Sequence, residues 1–181
     1  MREKLKMKKY SVDNVIRMFL ALNTIKWDSP TISAELESYF GSPETIDEFA
    51  KHGLRFTDGR DLRNFLKKGR LTPISEDTLK EVKNFAFSTK DIDDKLSDQT
   101  YSQSYKELEH KLERGDINLQ APIIVEFNDG SFWGFSGRKR AYVARKNGVE
   151  VLYFLVKQPQ DEEGDKREDG DQEDIQKDKM E

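Results

Sequence analysis

Residues 122–156 read PIIVEFNDGSFWGFSGRKRAYVARKNGVEVLYFLV, and this run constrains the fold more than any other part of the chain. Its β-branched opening, residues 122–127, predicts a strand. Asn128-Asp129-Gly130 is a tight hairpin signal, and residues 131–136 return as the second strand. Gly137 breaks that strand. Residues 138–147 then predict a short helix with Ala141 and Ala144 facing inward and Gly148 as its stop. Residues 149–156 are almost continuously apolar, which predicts a third strand buried on both faces. The order of elements predicts an α+β chain with a small mixed sheet and flanking helices.

The N-terminal half has a different texture. Val12, Val15, Ile16, Phe19 and Leu20 recur at the spacing of one helical face. Ser29-Pro30 and Ser42-Pro43 each supply an N-cap followed by a first-turn proline. The first predicts a helix with Ile32, Leu36 and Phe40 on one face up to Gly41. The second predicts one burying Ile46, Phe49 and Ala50, stopped by Gly53. Residues 61–68 predict a third short helix, with Leu62, Phe65 and Leu66 inward. Ser75 caps a further one carrying Leu79 and Val82. Residues 104–114 return to helical spacing with Tyr105, Leu108 and Leu112. The expected division is a basic arm (1–9), a helical region (10–83), a connection (84–104), the strand-bearing core (105–157) and a disordered acidic tail (158–181).

Composition separates tail from core. The whole chain is 35% hydrophobic and 36% charged, with a formal net charge of -4. Residues 161–181 hold eleven acidic and four basic side chains, so residues 1–160 alone carry about +3. No apolar run nears the roughly 18 residues of a membrane span, and the basic N-terminus leads into an amphipathic rather than an apolar segment. With no cysteine there is no disulfide framework, thiolate nucleophile or cysteine-type zinc site. His52 and His110 lack ligand spacing and read as helix-surface residues. Asp91, Asp93, Asp94 and Asp98 lack the glycine and distal glutamate of a calcium loop and read as a solvated run. The expected setting is a reducing cytosol, with no membrane association.

The chemistry concentrates at Ser136-Gly137-Arg138-Lys139-Arg140. Gly137 permits a sharp turn and close approach of a ligand. A helix N-terminus offers unpaired N–H groups and the positive end of the helix dipole, which disfavours cations. Arg138, Lys139 and Arg140 in that first turn make poor sense for helix stability and good sense for gripping phosphate. The plainer reading is a set of exposed cations neutralised by nearby carboxylates. Glu126 and Asp129 are the candidate catalytic carboxylates, able to hold Mg²⁺ or act as general base beside a bound phosphate. They also read as an outward strand residue and a turn former. Trp133 and Phe135 share a strand face, as core or as a base-stacking pair.

On these residues, the run 122–156 resembles the ParB N-terminal/sulfiredoxin-like superfamily. The shared order is a Pro-Ile strand, a DG hairpin, a Gly-x-x-Arg turn, an alanine-bearing helix, a glycine and a closing hydrophobic strand. The resemblance implies that Gly137 and Arg140 bind nucleotide phosphates, with Arg138 and Lys139 as the variable pair. Sulfiredoxins need a cysteine inside that turn; Arg138 stands there, so sulfinic acid reductase activity is excluded. CTP-binding ParB proteins usually carry Glu where this chain has Arg138, and continue into a helix-turn-helix domain. Here residues 157–160 lead into acidic sequence, so a CTP-switched clamp is not expected.

The resemblance leaves relatives that cleave DNA, bind or hydrolyse ATP, phosphorylate a small molecule, or only bind nucleic acid. The leading expectation is a DNA-processing protein, a nuclease or NTP-hydrolysing enzyme, using ATP or another NTP and Mg²⁺. The alternative is a non-catalytic DNA- or protein-binding module of the same fold. In it the turn, Arg145, Lys146 and the basic arm engage phosphates, and the N-terminal helices meet a protein partner. A third role has the acidic tail competing for the basic surface.

Overall fold

In the computed structural model, the described residues are 12–85, 99–113, 120–146 and 151–160. The elements in chain order are α1 (Val12–Leu22), α2 (Pro30–Phe40), α3 (Pro43–Lys51), α4 (Gly59–Leu66), β1 (Arg70–Thr72), α5 (Glu76–Glu81), α6 (Gln99–Glu113), β2 (Ile123–Glu126), β3 (Phe132–Ser136), α7 (Arg138–Lys146) and β4 (Tyr153–Lys157). The strands form one four-stranded mixed sheet in the order β1-β4-β2-β3. β2 and β3 are an antiparallel hairpin, β4 runs parallel to β2 through the α7 crossover, and β1 lies antiparallel to β4. The fold is therefore α+β, built on the small mixed sheet the sequence predicts.

The two faces of this sheet carry separate apolar layers, because side chains alternate along a strand. Ile124 and Tyr153 join Leu79, Val82, Phe85, Tyr105, Ala141 and Val143, so α5, α6 and α7 cover one face. Ile123, Val125, Phe127, Trp133, Phe154 and Val156 join Ile32, Leu36, Tyr39, Phe49, Leu62, Phe65 and Leu66, so α2, α3 and α4 cover the other. Covering both faces is what makes β4 apolar at successive positions. Trp133 is buried and Phe135 packs against the same layer, which makes that pair core.

Capping fixes the helix starts. Ser29, Ser42, Asp58 and Ser75 each accept a hydrogen bond from the backbone N–H three residues on, and α2 and α3 both open on proline. Several details depart from the sequence reading. Tyr39 rather than Phe40 continues the buried face of α2, since two helical turns from Ile32 fall at position 39. Ile46 and Ala50 are only half-buried around a fully buried Phe49. The stripe of α1 at Val12, Ile16, Phe19 and Leu20 is exposed. That helix is anchored at its C-terminal end by buried Leu22 and by Asn23, whose Oδ1 accepts from the Leu152 N–H at 2.7 Å.

β1 lies inside a stretch that reads as helical, and α6 begins at Gln99 rather than 104. Of the strand read over 149–156, residues 149 and 150 lie outside the described residues, and β4 begins at Tyr153. The basic arm, the acidic residues 91–98 and the tail beyond residue 160 lie outside the described residues. Among the described residues no helix is long and apolar enough to cross a membrane.

Candidate phosphate-binding turn

β3 reaches the turn through an irregularity. Ile123 pairs with Ser136 while Ile124 pairs with Gly134, so β3 carries an extra residue just before Ser136. Such a bulge bends its strand and re-aims the residues beyond it. Gly137 then takes φ 90°, and a Cβ there would sit 2.6 Å from Pro122 Cα and 2.8 Å from Arg140 Nη2. Both the left-handed backbone and the close approach require glycine. The Ala141 N–H donates to the Gly137 carbonyl at 2.9 Å, so α7 starts at once.

Gly137→Ala is expected to lower stability by about 1–3 kcal/mol through strain and clash combined. Gly130 provides the control. It has φ 81° in open space, so Gly130→Ala reports the conformational cost alone, about 1–2 kcal/mol. Urea midpoints of the two variants at unchanged slope separate the contributions.

The three cations of the turn occupy different environments. Arg138 and Lys139 are half-buried, whereas Arg140 is 9% exposed and reaches back under the turn. Arg140 Nη1 donates to Glu35 Oε1 at 2.8 Å. The other carboxylate oxygen of Glu35 accepts from Gln120 Nε2 at 2.7 Å, and Gln120 is itself fully buried. Arg140 Nε and Nη2, Gln120 Oε1 and Ser136 Oγ are buried without a hydrogen-bond partner among the described residues. Nη2, on the same edge of the guanidinium as Nε, lies against Gly137. Two N–H donors in that fork fit a phosphate or carboxylate better than any single acceptor.

Sequence reasoning names Gly137, Arg138, Lys139 and Arg140 but misses Glu35 and Gln120. Glu35 flanks the buried Ile32–Leu36–Tyr39 stripe of α2, a helical-wheel position that signals a carboxylate at the edge of a core. Its partner lies 105 residues away, and no local pattern predicts that pairing. Arg145 and Lys146 fall in the last turn of α7, and their side chains are outside the described residues.

Glu126 and Asp129 occupy the opposite end of the hairpin. Glu126 pairs with Phe132, whereas Ile123 pairs with Ser136 beside the turn, a separation of about 10 Å along β2. Glu126 bonds its cross-strand neighbour Lys157 at 3.4 Å and lines a cleft of about 330 Å³ with Asn128, Lys157 and Gln158. Asp129 Oδ1 accepts from the Ser131 hydroxyl at 2.6 Å and from its N–H at 2.9 Å, the geometry of a turn former. The structure does not bring either carboxylate to the turn at residues 137–140. Among the described residues no three His, Asp or Glu side chains gather as a metal-holding group.

His52 differs from its sequence reading. It caps α3 with its side chain 14% exposed, and its ring stacks on Phe127 at 3.7 Å and 2°. Nε2 and Nδ1 each lie 3.6 Å from a carboxylate, of Glu48 and Asp129 respectively. Hydrogen bonds from Ser131, with His52 nearby, hold the Asp129 carboxyl below its usual range. Burial alone would raise Glu48, but hydrogen bonds and charge from Lys83 and Lys51 outweigh it and bring it down.

Both carboxylates therefore titrate lower in the folded chain than in the unfolded one. The stability each contributes is complete above its ordinary value, 3.8 for Asp129 and 4.5 for Glu48, and is lost as pH falls through the folded-state value. Unfolding midpoints of wild type, Asp129→Asn and Glu48→Gln between pH 6 and pH 3 should show a shallower acid limb in each variant.

No family model, curated protein or solved structure matches the chain.

Proposed function

We propose that this chain is a phosphate-binding protein of the ParB/sulfiredoxin-like kind, taking phosphate groups of a nucleotide or nucleic acid at Gly137–Arg140. The observation that carries the reading is Arg140. A buried guanidinium with Nε and Nη2 unpaired lies against a left-handed glycine at the start of a helix. That arrangement is costly to maintain unless an anion uses it. The strand order and the hairpin–turn–helix–strand succession are compatible with the resemblance seen in the sequence.

In this reading the chain binds phosphate without turning it over. A nuclease or an NTP-hydrolysing enzyme needs a base or a metal-holding carboxylate within reach of the bound phosphate. Glu126 and Asp129 are tied up at the far end of the hairpin. Glu35 is the carboxylate at the turn, and it is engaged with Arg140 and Gln120.

Thermal unfolding with ATP, ADP, CTP and GTP, each with and without Mg²⁺, and with a short DNA duplex tests this. A binder specific for the folded chain raises Tm by mass action, by about 2.7 kcal/mol at a hundredfold excess over Kd. The expected result is a shift with at least one of these that Arg140→Met abolishes, with no product formed. Mg²⁺-dependent cleavage of DNA or NTP that Arg140→Met abolishes would restore the enzyme reading. No shift with any ligand would remove the phosphate reading altogether.

A further inference from the structure

We propose that the exposed face of α1, together with the basic residues just before it, docks the chain on an anionic lipid surface, with the helix lying in the plane of the headgroups. The inference is independent of the reading of Gly137–Arg140. Among the described residues no helix can span a membrane, but an interfacial helix needs only one apolar face with cations beside it. Docking of this kind replaces the expectation of no membrane association.

Three observations support it. Val12, Ile16, Phe19 and Leu20 are 75%, 50%, 37% and 58% exposed, and they follow the i, i+4, i+7, i+8 spacing of one helical face. Four of the six large apolar side chains that the described residues leave exposed therefore share one helix. The C-terminal end of α1 is fixed to the core, through fully buried Leu22, the bond from the Leu152 N–H to Asn23, and the Ala121 N–H donating to the Thr24 carbonyl at 2.9 Å. The folded chain thus presents this face as part of its surface. Residues 2–9 then hold five cations against Glu3 alone. Lys9 stands three residues before Val12, so chain length alone keeps it within about 11 Å of the stripe.

The combination selects the occupant. A nucleic-acid backbone would use the cations but gain nothing from the apolar stripe. A second copy would bring five like charges of its own, and four partly exposed side chains fall well short of the about 800 Å² per partner of a stable interface. An anionic bilayer uses both features. The apolar side chains enter the boundary between headgroups and acyl chains, while the cations meet anionic headgroups at the surface. A single weak apolar anchor gives only marginal binding, and the basic segment beside it supplies the second signal. Asp13, the one acid of α1, lies in its first turn, where the helix dipole favours it.

Co-sedimentation of the full chain with vesicles of phosphatidylcholine alone, and of phosphatidylcholine with about one-third phosphatidylserine, tests this. Wild type is expected to bind the anionic vesicles at least about tenfold tighter than the neutral ones, with the difference shrinking as salt is raised. Replacing Lys6, Lys8 and Lys9 together by Gln should weaken that binding by about a hundredfold. Ile16→Ser with Leu20→Ser should weaken it by about tenfold or more, at an unchanged urea midpoint because both side chains are exposed. Val12→Ser, at the most exposed position, should act in the same direction by a smaller factor, and it decides the matter if the paired variant does not fold. Wild type that ignores anionic vesicles, or binds neutral ones equally well, would overturn the proposal. Binding lost in the lysine variant but untouched by the serine variants would reduce the contact to the basic arm and overturn the role of α1. Dimers in sedimentation that Ile16→Ser with Leu20→Ser dissolves, without vesicle binding, would give the face to a second copy instead.

Discussion

Phe49→Ala lowers the stability of the chain by about 3–5 kcal/mol, the range for truncating a fully buried aromatic side chain. Phe49 has no exposed surface. Its ring lies 5.3 Å from Tyr39, 5.4 Å from Phe127, 6.2 Å from Phe56 and 6.4 Å from Phe135, mostly edge to face. It thus joins α2 and α3 to β3 and to the start of the hairpin loop. Such aromatic pairs add about 0.5–1.5 kcal/mol beyond area burial, and truncation also leaves a cavity among these rings. Domain stabilities are usually about 5–15 kcal/mol, so the variant sits near the limit of folding at 37 °C. The measurement is a urea unfolding curve, with the midpoint falling at unchanged slope. A loss below about 1 kcal/mol would mean that the helical layer is not packed on the sheet in this way.

The second large effect concerns the buried ion pair. Glu35→Leu is expected to cost about 3–5 kcal/mol, because it leaves the Arg140 guanidinium buried without its counter-charge. Replacing both partners by apolar side chains of similar volume, as Glu35→Leu with Arg140→Met, should recover most of that loss. The side chains are 17% and 11% exposed, which sets this pair apart from surface pairs such as Lys80–Asp77 at 66% and 98%. A surface pair is worth about 0–1 kcal/mol. The four corners of a double-mutant cycle give the coupling directly. If the double variant is as unstable as Glu35→Leu alone, packing rather than charge explains the loss.

This pair also shows where sequence reasoning stops. The hairpin, the turn at Gly137, the crossover helix and the buried strand are legible because their signals are local. Asn128-Asp129-Gly130 carries turn chemistry, the β-branched run carries strand preference, and glycine marks the left-handed position. The Ser-Pro helix starts are legible for the same reason. β1 is not, because a three-residue edge strand has no periodicity of its own and is fixed by its pairing with the distant β4. The inward face of α2 reads one residue off, at Phe40. The exposed stripe of α1 shows that amphipathic spacing states which face could be buried, not whether a neighbour buries it.

At the site the same limit is sharper. Gly137 and Arg140 come from spacing within four residues. That Arg140 is buried while Arg138 and Lys139 are half-buried depends on Ala141 and Val143 turning the helix face inward. Glu35 and Gln120 come from elements 105 and 20 positions away in the chain, and only the packed sheet brings them together. Glu126 and Asp129 are near the turn in sequence and at the other end of the hairpin in space.

The central claim is that Gly137–Arg140 receives the phosphates of the ligand. An NMR titration of the full chain with tripolyphosphate follows it most directly, through the backbone amides of Gly137, Arg138 and Lys139 and the side-chain Nε–H of Arg140. Saturable shifts at those four groups with a common Kd, and their loss in Arg140→Met, are the predicted result. Shifts confined to the basic residues 2–9, with the turn unmoved, would contradict it.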